Sequence, residues 1–361
     1  MQELTDEPLA GHTTMRVGGP AARMVVAETT DELVDAVREV DDADEPLLVL
    51  GGGSNLVLPD DGFAGTVVKV ATRGVVVDSS DSCGGANVVV AAGEPWDPFV
   101  ERAVAEGWSG VEALSGIPGS TGATPVQNVG AYGQEVAQTI ARVRVWDRTE
   151  QRVRTMTSPD CRFTYRHSLF KGTDRYVVLD VMFQLVLADL SRPVAYADLA
   201  RQLGVEARGR VPLAEAREAV LVQRRSRGMV LDDADHDTWS CGSFFTNPVL
   251  GAEEFDALQE RVASRLGVEV SPPRFEGADG TVKTSAAWLI ERAGFGKGYA
   301  MPGPAALSTK HTLAVTNRGT ASAADVVALA REVRAGVREA FGVELVNEPV
   351  LLGQSLEEGR P

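Results

Sequence analysis

One stretch limits what this chain can fold into more than any other: GIPGSTGATPVQNVGAYG, residues 116–133. Glycines at 116, 119, 122, 130 and 133 and prolines at 118 and 125 interrupt any helical or strand period. Its sizeable apolar side chains are Ile117, Val126, Val129 and Tyr132, too few to build a core element. Glycine lets a backbone adopt positive φ and approach a neighbour closely. Ser115, Ser120, Thr121, Thr124, Gln127 and Asn128 add hydroxyl and amide groups. Turned-in backbone amides make an anion-binding concavity. A plain surface loop is the alternative, but a loop this long is usually functional or disordered, and disordered loops carry charge that this one lacks. The stretch is therefore read as a ligand cradle.

The rest of the chain bounds the ligand. At 361 residues there is room for two or three domains of roughly 150 residues each. A net charge of −16 and a pI near 4.8 argue against nucleic acid or an anionic membrane as partner. An anionic ligand then needs a locally basic site. No apolar run approaches ~18 residues, and the acidic start MQELTDEPLAGHTT has no apolar signal region. Cys83, Cys161 and Cys241 are odd in number and far apart, which fits a reducing cytoplasm. His12, His167, His236 and His311 lack metal-ligand spacing, so no metal site is expected.

In chain order, residues 1–71 read as a small α/β unit. A strand at 25–27 precedes a helix with Thr29 and Glu32 as capping box and Leu33, Val34, Val37 and Val40 at helical spacing. The strand LLVLG leads into the turn Gly51, Gly52, Gly53, Ser54, Asn55, and TVVKV (66–70) closes the unit. Strand then glycine turn is a phosphate-site layout. It is not a dinucleotide fingerprint, since Leu56 stands where the third glycine belongs. A turn between buried strands is an equal reading of this piece.

Residues 72–190 are strand-rich, at 75–77, 87–93, 141–146 and 176–187, with one helix near 97–106. Within them CRFTYRHSLFKG mixes aromatic and basic groups. Arg166 there is read either as a surface arginine or as a fork for a carboxylate. A helix from Pro212, burying Leu213, Ala216, Val220 and Val222, runs into the basic run at 224–227. That run suits a helix C-terminus and a phosphate contact equally. An acidic, exposed linker, LDDADHD, opens a further α/β unit at 229–348. SCGSFFTNP sets Ser243 beside two phenylalanines, as a turn residue or a desolvated proton donor. Helices are expected at 253–266, 283–293 and 325–341, then a strand VELV. Glu348, before Pro349, is either exposed or held partly buried. No GxSxG elbow supports a hydrolase triad.

Six strings now stand in order: GGGSNL at 51–56, the glycine stretch at 116–133, CRFTYRHSLFK at 161–171, CGSFFTNP at 241–248, VKTSAAWLIERAGFGKG at 282–298 and NEPVLLG at 347–353. Together they resemble the UDP-N-acetylenolpyruvoylglucosamine reductases, flavoproteins of peptidoglycan precursor synthesis. The resemblance implies an α+β fold, with a two-lobed FAD-binding module of the vanillyl-alcohol-oxidase (PCMH) type and a C-terminal α/β substrate-binding domain. Expected boundaries are 1–71 with 349–361 for the first lobe, 72–228 for the second, and 229–348 for the substrate domain. The segment AYADL, with Tyr196, is similar to the substrate-capping insertion of the family's first type.

The resemblance further implies non-covalent FAD, NADPH as co-substrate, hydride transfer from flavin N5 to C3 of the enolpyruvyl group, and a proton to C2. Arg166 matches the arginine that holds the carboxylate and the developing charge, Ser243 the proton donor, and Glu348 the assisting acid. Gly51, Gly52, Gly53, Ser54 and Asn55 would hold FAD with Ile117, Pro118, Gly119, Ser120, Gly122, Ala123, Gln127, Asn128, Gly130, Ala131 and Tyr132. Tyr196, Arg227, Asn247 and Lys283 would bind substrate. Two positions depart from the pattern: Arg227 stands where a lysine is frequent, and Arg292 where some relatives carry an amide. The expected protein is a cytoplasmic monomer with small-molecule partners, no nucleic acid and no membrane. Two other readings remain: a flavin oxidase of the same fold, and a flavin-binding protein without catalysis. Covalent oxidases attach FAD through His or Cys, which both glycine stretches lack.

Overall fold

The computed structural model describes residues 1–81, 83–277 and 280–357. The chain forms two compact units. The first comprises Met1–Glu7, Pro20–Gly53 and Phe63–Val230; the second comprises Pro8–Gly19, Ser54–Gly62 and Leu231–Pro361. Positions 358–361 of the expected first-lobe tail lie outside the described residues.

The first unit carries two sheets. In the smaller, strands run in the order Gln2–Pro8, Pro20–Ala27, Phe63–Val70, Leu47–Leu50, and the last three are mutually parallel. Parallel neighbours need a crossover, which α1 (Thr30–Asp42) supplies. Its start is the expected capping box: the Glu32 N–H donates to Thr29 Oγ1 at 3.2 Å, and the Thr29 N–H donates back to Glu32 Oε2 at 3.3 Å. Leu33, Ala36, Val37 and Val40 turn inward at 3.6-residue spacing.

The larger sheet is antiparallel, ordered Arg152–Thr157, Ile140–Asp147, Tyr176–Leu187, Gly85–Ala91, Val75–Asp81, with Trp108–Ser109 pairing the end of the central strand. Over it lies α2 (Trp96–Ala105), whose Trp96 and Phe99 meet Phe183 with ring centroids 5.2–5.7 Å apart. Such aromatic pairs add about 0.5–1.5 kcal/mol each beyond burial. Then come α3 (Ala197–Leu203) and α4 (Leu213–Ser226). Val222 departs from expectation: it is 46% exposed, because two residues rotate it about 200° from buried Val220. Ala219 and Leu221 are buried instead.

The second unit packs α5 (Ala252–Leu266), α6 (Ala286–Arg292) and α7 (Ala323–Phe341) around Phe244, Phe245, Phe255, Leu289, Ile290 and Val333. Three expectations change here. The helix expected from 283 starts at Ala286, because Ser285 caps it through the Trp288 N–H at 3.2 Å, and Val282–Lys283 is a short strand. Residues 343–346 alternate buried and exposed but pair with no strand among the described residues; the strand is Val350–Leu351, parallel to Leu56–Val57. The acidic linker is not exposed throughout: Asp237 is buried, accepting from the Thr309 N–H and Arg318 Nη1, both at 2.8 Å, while Asp235 pairs with Lys310.

Candidate functional site

The two glycine turns of the first unit touch each other. A Cβ on Gly52 would lie 2.5 Å from Gly119 Cα and 2.9 Å from the Ser120 nitrogen. The Gly52 N–H donates to Ser120 Oγ at 3.3 Å, and a Cβ on Gly51 would meet that hydroxyl at 2.5 Å. Only glycine allows two backbones this close. The 116–133 stretch is a built element and largely inside. Thr121 N–H donates to Glu94 O and Gly122 N–H to Ala92 O, both at 2.8 Å, and Trp96 N–H donates to Gly119 O at 3.0 Å. Gly116, Gly119 and Gly133 have positive φ, as have Asn128 and Tyr132. Buried Asn128 is a residue type that tolerates the left-handed backbone, and its side chain is held in place: Nδ2 donates to Glu135 Oε2 at 2.9 Å and to Thr164 O at 3.0 Å, and Oδ1 accepts from the Ala137 N–H at 3.2 Å.

Arg166 belongs to this stretch and is not a loose surface group. Its Nη2 donates to Gly130 O at 2.6 Å and its Nη1 to Asn128 O at 3.4 Å, with Glu135 at 3.9 Å and the Tyr165 ring under the guanidinium. The tight turn at 164–167, with Arg166 itself at positive φ, aims it. Tyr132 meets Tyr196 edge-on at 5.7 Å. Tyr196 is 51% exposed just before α3, and Arg227 follows α4, 4.0 Å from Asp198. Burial raises the Tyr132 hydroxyl's pKa against the pull of Arg224 and Arg227.

Two supports were not legible as site residues in the sequence. Asp97, in the first turn of α2, accepts from Arg217 Nη1 at 2.7 Å and Nη2 at 3.0 Å, and from the Gly116 N–H at 2.5 Å. Burial raises its pKa, but those donors outweigh it and hold the carboxyl below its ordinary value. At the other turn, Lys69 Nζ donates to Gly51 O at 2.5 Å. Asp97 looks like a routine helix-start acid. The only signal for Lys69 was a charge inside an apolar strand.

In the second unit, the loop 241–248 runs beside 346–348. Phe245 bridges Asn347, the Thr246 N–H donates to Val346 O and the Glu348 N–H donates to Phe244 O, both at 2.9 Å. Ser243 and Glu348 are half-buried on these adjoining segments. Asn55 belongs here too, its Nδ2 donating to Glu348 O at 3.2 Å. Asn247 Oδ1 accepts the Ala286 N–H at 3.0 Å, and Lys283 pairs with Val249 in the adjoining ladder. Arg292 lies at the end of α6 against the Trp288 ring. The second unit thus gathers Asn55, Ser243, Asn247, Lys283 and Glu348. The first gathers Gly51 to Gly53, the 116–133 stretch, Arg166, Tyr196 and Arg227.

The first set also includes a cationic donor that an anionic group would satisfy. Arg224 Nε is buried with no hydrogen-bond partner among the described residues, and it faces Gly116, whose Cβ would lie 3.5 Å from it. Such an orphaned donor is costly without an acceptor. Among the described residues no cluster of three His, Cys, Asp or Glu could hold a metal ion, and no helix is long and apolar enough to cross a membrane.

Comparison with known proteins bears on both units. Residues 21–156 match the FAD binding domain family, and residues 233–352 match the UDP-N-acetylenolpyruvoylglucosamine reductase C-terminal domain. The chain is 60% identical over 349 residues to the UDP-N-acetylenolpyruvoylglucosamine reductase of Thermobifida fusca, covering 97% of this chain and 98% of that one. It is 59% identical to that of Streptomyces coelicolor, covering 99% and 92%. A crystal structure of the Thermus caldophilus reductase superposes with a TM-score of 0.63 at 24% identity over 97% of this chain and 98% of the other, which speaks to the fold.

Proposed function

The chain belongs to the UDP-N-acetylenolpyruvoylglucosamine reductase family, and on that premise we propose that it reduces UDP-N-acetylglucosamine enolpyruvate to UDP-N-acetylmuramate with NADPH, in peptidoglycan precursor synthesis. The arrangement that carries this reading is the pair of glycine turns in backbone contact, with Arg166 held on the carbonyls of the same stretch. The oxidase alternative gives way, since relatives this similar carry the reductase name.

FAD, when bound, supplies the hydride chemistry between NADPH and the enolpyruvyl group. The two sheets of the first unit act as the two lobes that receive it, with the Gly51 turn and the 116–133 stretch holding its diphosphate. Arg166 orients the substrate carboxylate and opposes the negative charge that builds at C2. Ser243 holds the proton delivered to C2. A serine hydroxyl is a weak acid, and Glu348 supports the transfer. Tyr196, half-exposed before a short helix, closes over bound substrate as in the family's first type. Arg227, Asn247 and Lys283 bind the substrate's polar parts. Arg227 keeps the charge of the frequent lysine and adds a fork. The protein acts in the cytoplasm, as a monomer, on small molecules and not on nucleic acid.

The direct test separates the half-reactions. Ser243→Ala leaves reduction by NADPH nearly intact and slows reoxidation by substrate by several powers of ten; equal slowing of both removes Ser243 as donor. Tyr196→Phe weakens substrate binding more than FAD binding, and unchanged substrate affinity ends the capping role.

A further inference from the structure

Lys69 is one of five lysines in a chain of net charge −16. It lies in the strand Phe63–Val70, in register with Leu50 and Val26. Its Nζ donates to Gly51 O at 2.5 Å, its one hydrogen bond among the described residues. An ammonium has three donors. A half-buried ammonium with no carboxylate is unfavourable, and its pKa is pushed down to about 8, first by burial and then by Arg73. Arg73 itself rests on the carbonyls of Thr72 and Gly93.

Several charged groups on the flanking elements are committed elsewhere. Arg23 pairs with Glu3 and Glu39, Asp41 with Arg148, Glu45 accepts the Thr66 hydroxyl, and Glu94 accepts the Gly74 N–H. The folded chain thus leaves an ammonium at the Gly51 turn with a carbonyl for company. Where it fixes the Gly116 turn, it supplies a carboxylate, Asp97, for Arg217.

We propose that Lys69 is the cation that binds the diphosphate of FAD at the Gly51 turn. The inference rests on the FAD reading above and names a residue that this reading did not include. It explains how so acidic a chain offers a basic spot to an anionic cofactor. An anion beside the ammonium restores its affinity for the proton. Binding therefore takes up a proton above pH 8 and weakens as pH rises further.

The test uses the full chain freed of flavin, titrated with FAD and separately with riboflavin, which lacks the diphosphate, at pH 7 and pH 9.5. Wild-type affinity for FAD falls about tenfold or more across that range, and calorimetry in two buffers at pH 8.5 records proton uptake. Lys69→Met weakens FAD about tenfold or more at pH 7 and flattens the pH dependence. Lys69→Arg keeps the pH 7 affinity and is also flat. Riboflavin binding is indifferent to both substitutions. Thermal unfolding of the flavin-free variants confirms that they are folded. Lys69→Met binding FAD as wild type does, with the same pH slope, overturns the proposal. So does an equal loss of FAD and riboflavin, which would make Lys69 a brace for the turn. A wild type that binds neither flavin overturns the functional reading itself.

Discussion

At the Gly116 end of the first unit a guanidinium meets a carboxylate; at the Gly51 end an ammonium meets a carbonyl. The Arg217–Asp97 pair is two-pronged, partly buried and complete within the chain. Its carboxyl lies below the ordinary carboxylate range because its donors outweigh burial. Lys69 is the reverse: burial dominates, and its pKa falls to about 8. The two backbone turns approach closely, yet the Arg217 charge is paired by folding and the Lys69 charge is left for a ligand to pair. Stability and binding are thus separable by side chain within one cradle, since buried charges are costly unless paired.

Removing the contact itself has the largest effect. Gly52→Ala places a methyl 2.5 Å from Gly119 Cα, and backbone cannot give way as a side chain can. The turns part, at a cost of about 1–3 kcal/mol or more, and the purified protein loses its flavin; a yellow protein of wild-type thermal midpoint would break the close-contact account. Next is the structural end. Asp97→Ala strands Arg217 and the Gly116 N–H, lowering unfolding stability by about 2–3 kcal/mol, while Asp97→Asn keeps one acceptor and loses about 1 kcal/mol. Denaturant midpoints distinguish them. Since the folded pKa of Asp97 is depressed, the pair's contribution is complete above the ordinary carboxylate pKa and disappears as pH falls through the lowered one. The Asn variant lacks that acid-side loss.

The smallest effect has the opposite sign. Lys69→Met makes the flavin-free protein about 1–2 kcal/mol more stable at pH 7, because the ammonium's desolvation is relieved. The folded pKa lies below the unfolded one. Between about pH 8 and 10.5 the unfolded wild type holds the extra proton, so wild-type stability rises with pH and the variant's advantage shrinks. A destabilised Met variant with a constant deficit would make Lys69 a structural lysine.

How much of this was legible in the sequence follows from how local each signal is. The α1 capping box, the apolar strands and the glycine turns depend on neighbours within a few residues, and the sequence shows them. The start of α6 at Ala286 was missed because a capping serine outweighs an apolar stripe, and buried Asp237 because its partners Thr309 and Arg318 are far along the chain. The candidate residues are legible through their motifs. What made Arg166 part of the cradle was invisible: carbonyls of Asn128 and Gly130 thirty-odd residues away. Asp97 and Lys69 are illegible for the same reason, their partners being atoms of distant elements: the Arg217 guanidinium and the Gly116 N–H for one, the Gly51 carbonyl for the other.

The central claim is that a flavin in this cradle passes electrons from NADPH to the enolpyruvyl sugar nucleotide. The visible spectrum of the purified protein, followed anaerobically, tests it most directly. The account predicts a flavin band that bleaches with NADPH and returns only when the enolpyruvyl sugar nucleotide is added. A colourless protein that takes up no added FAD, or a flavin band that NADPH does not bleach, would contradict it.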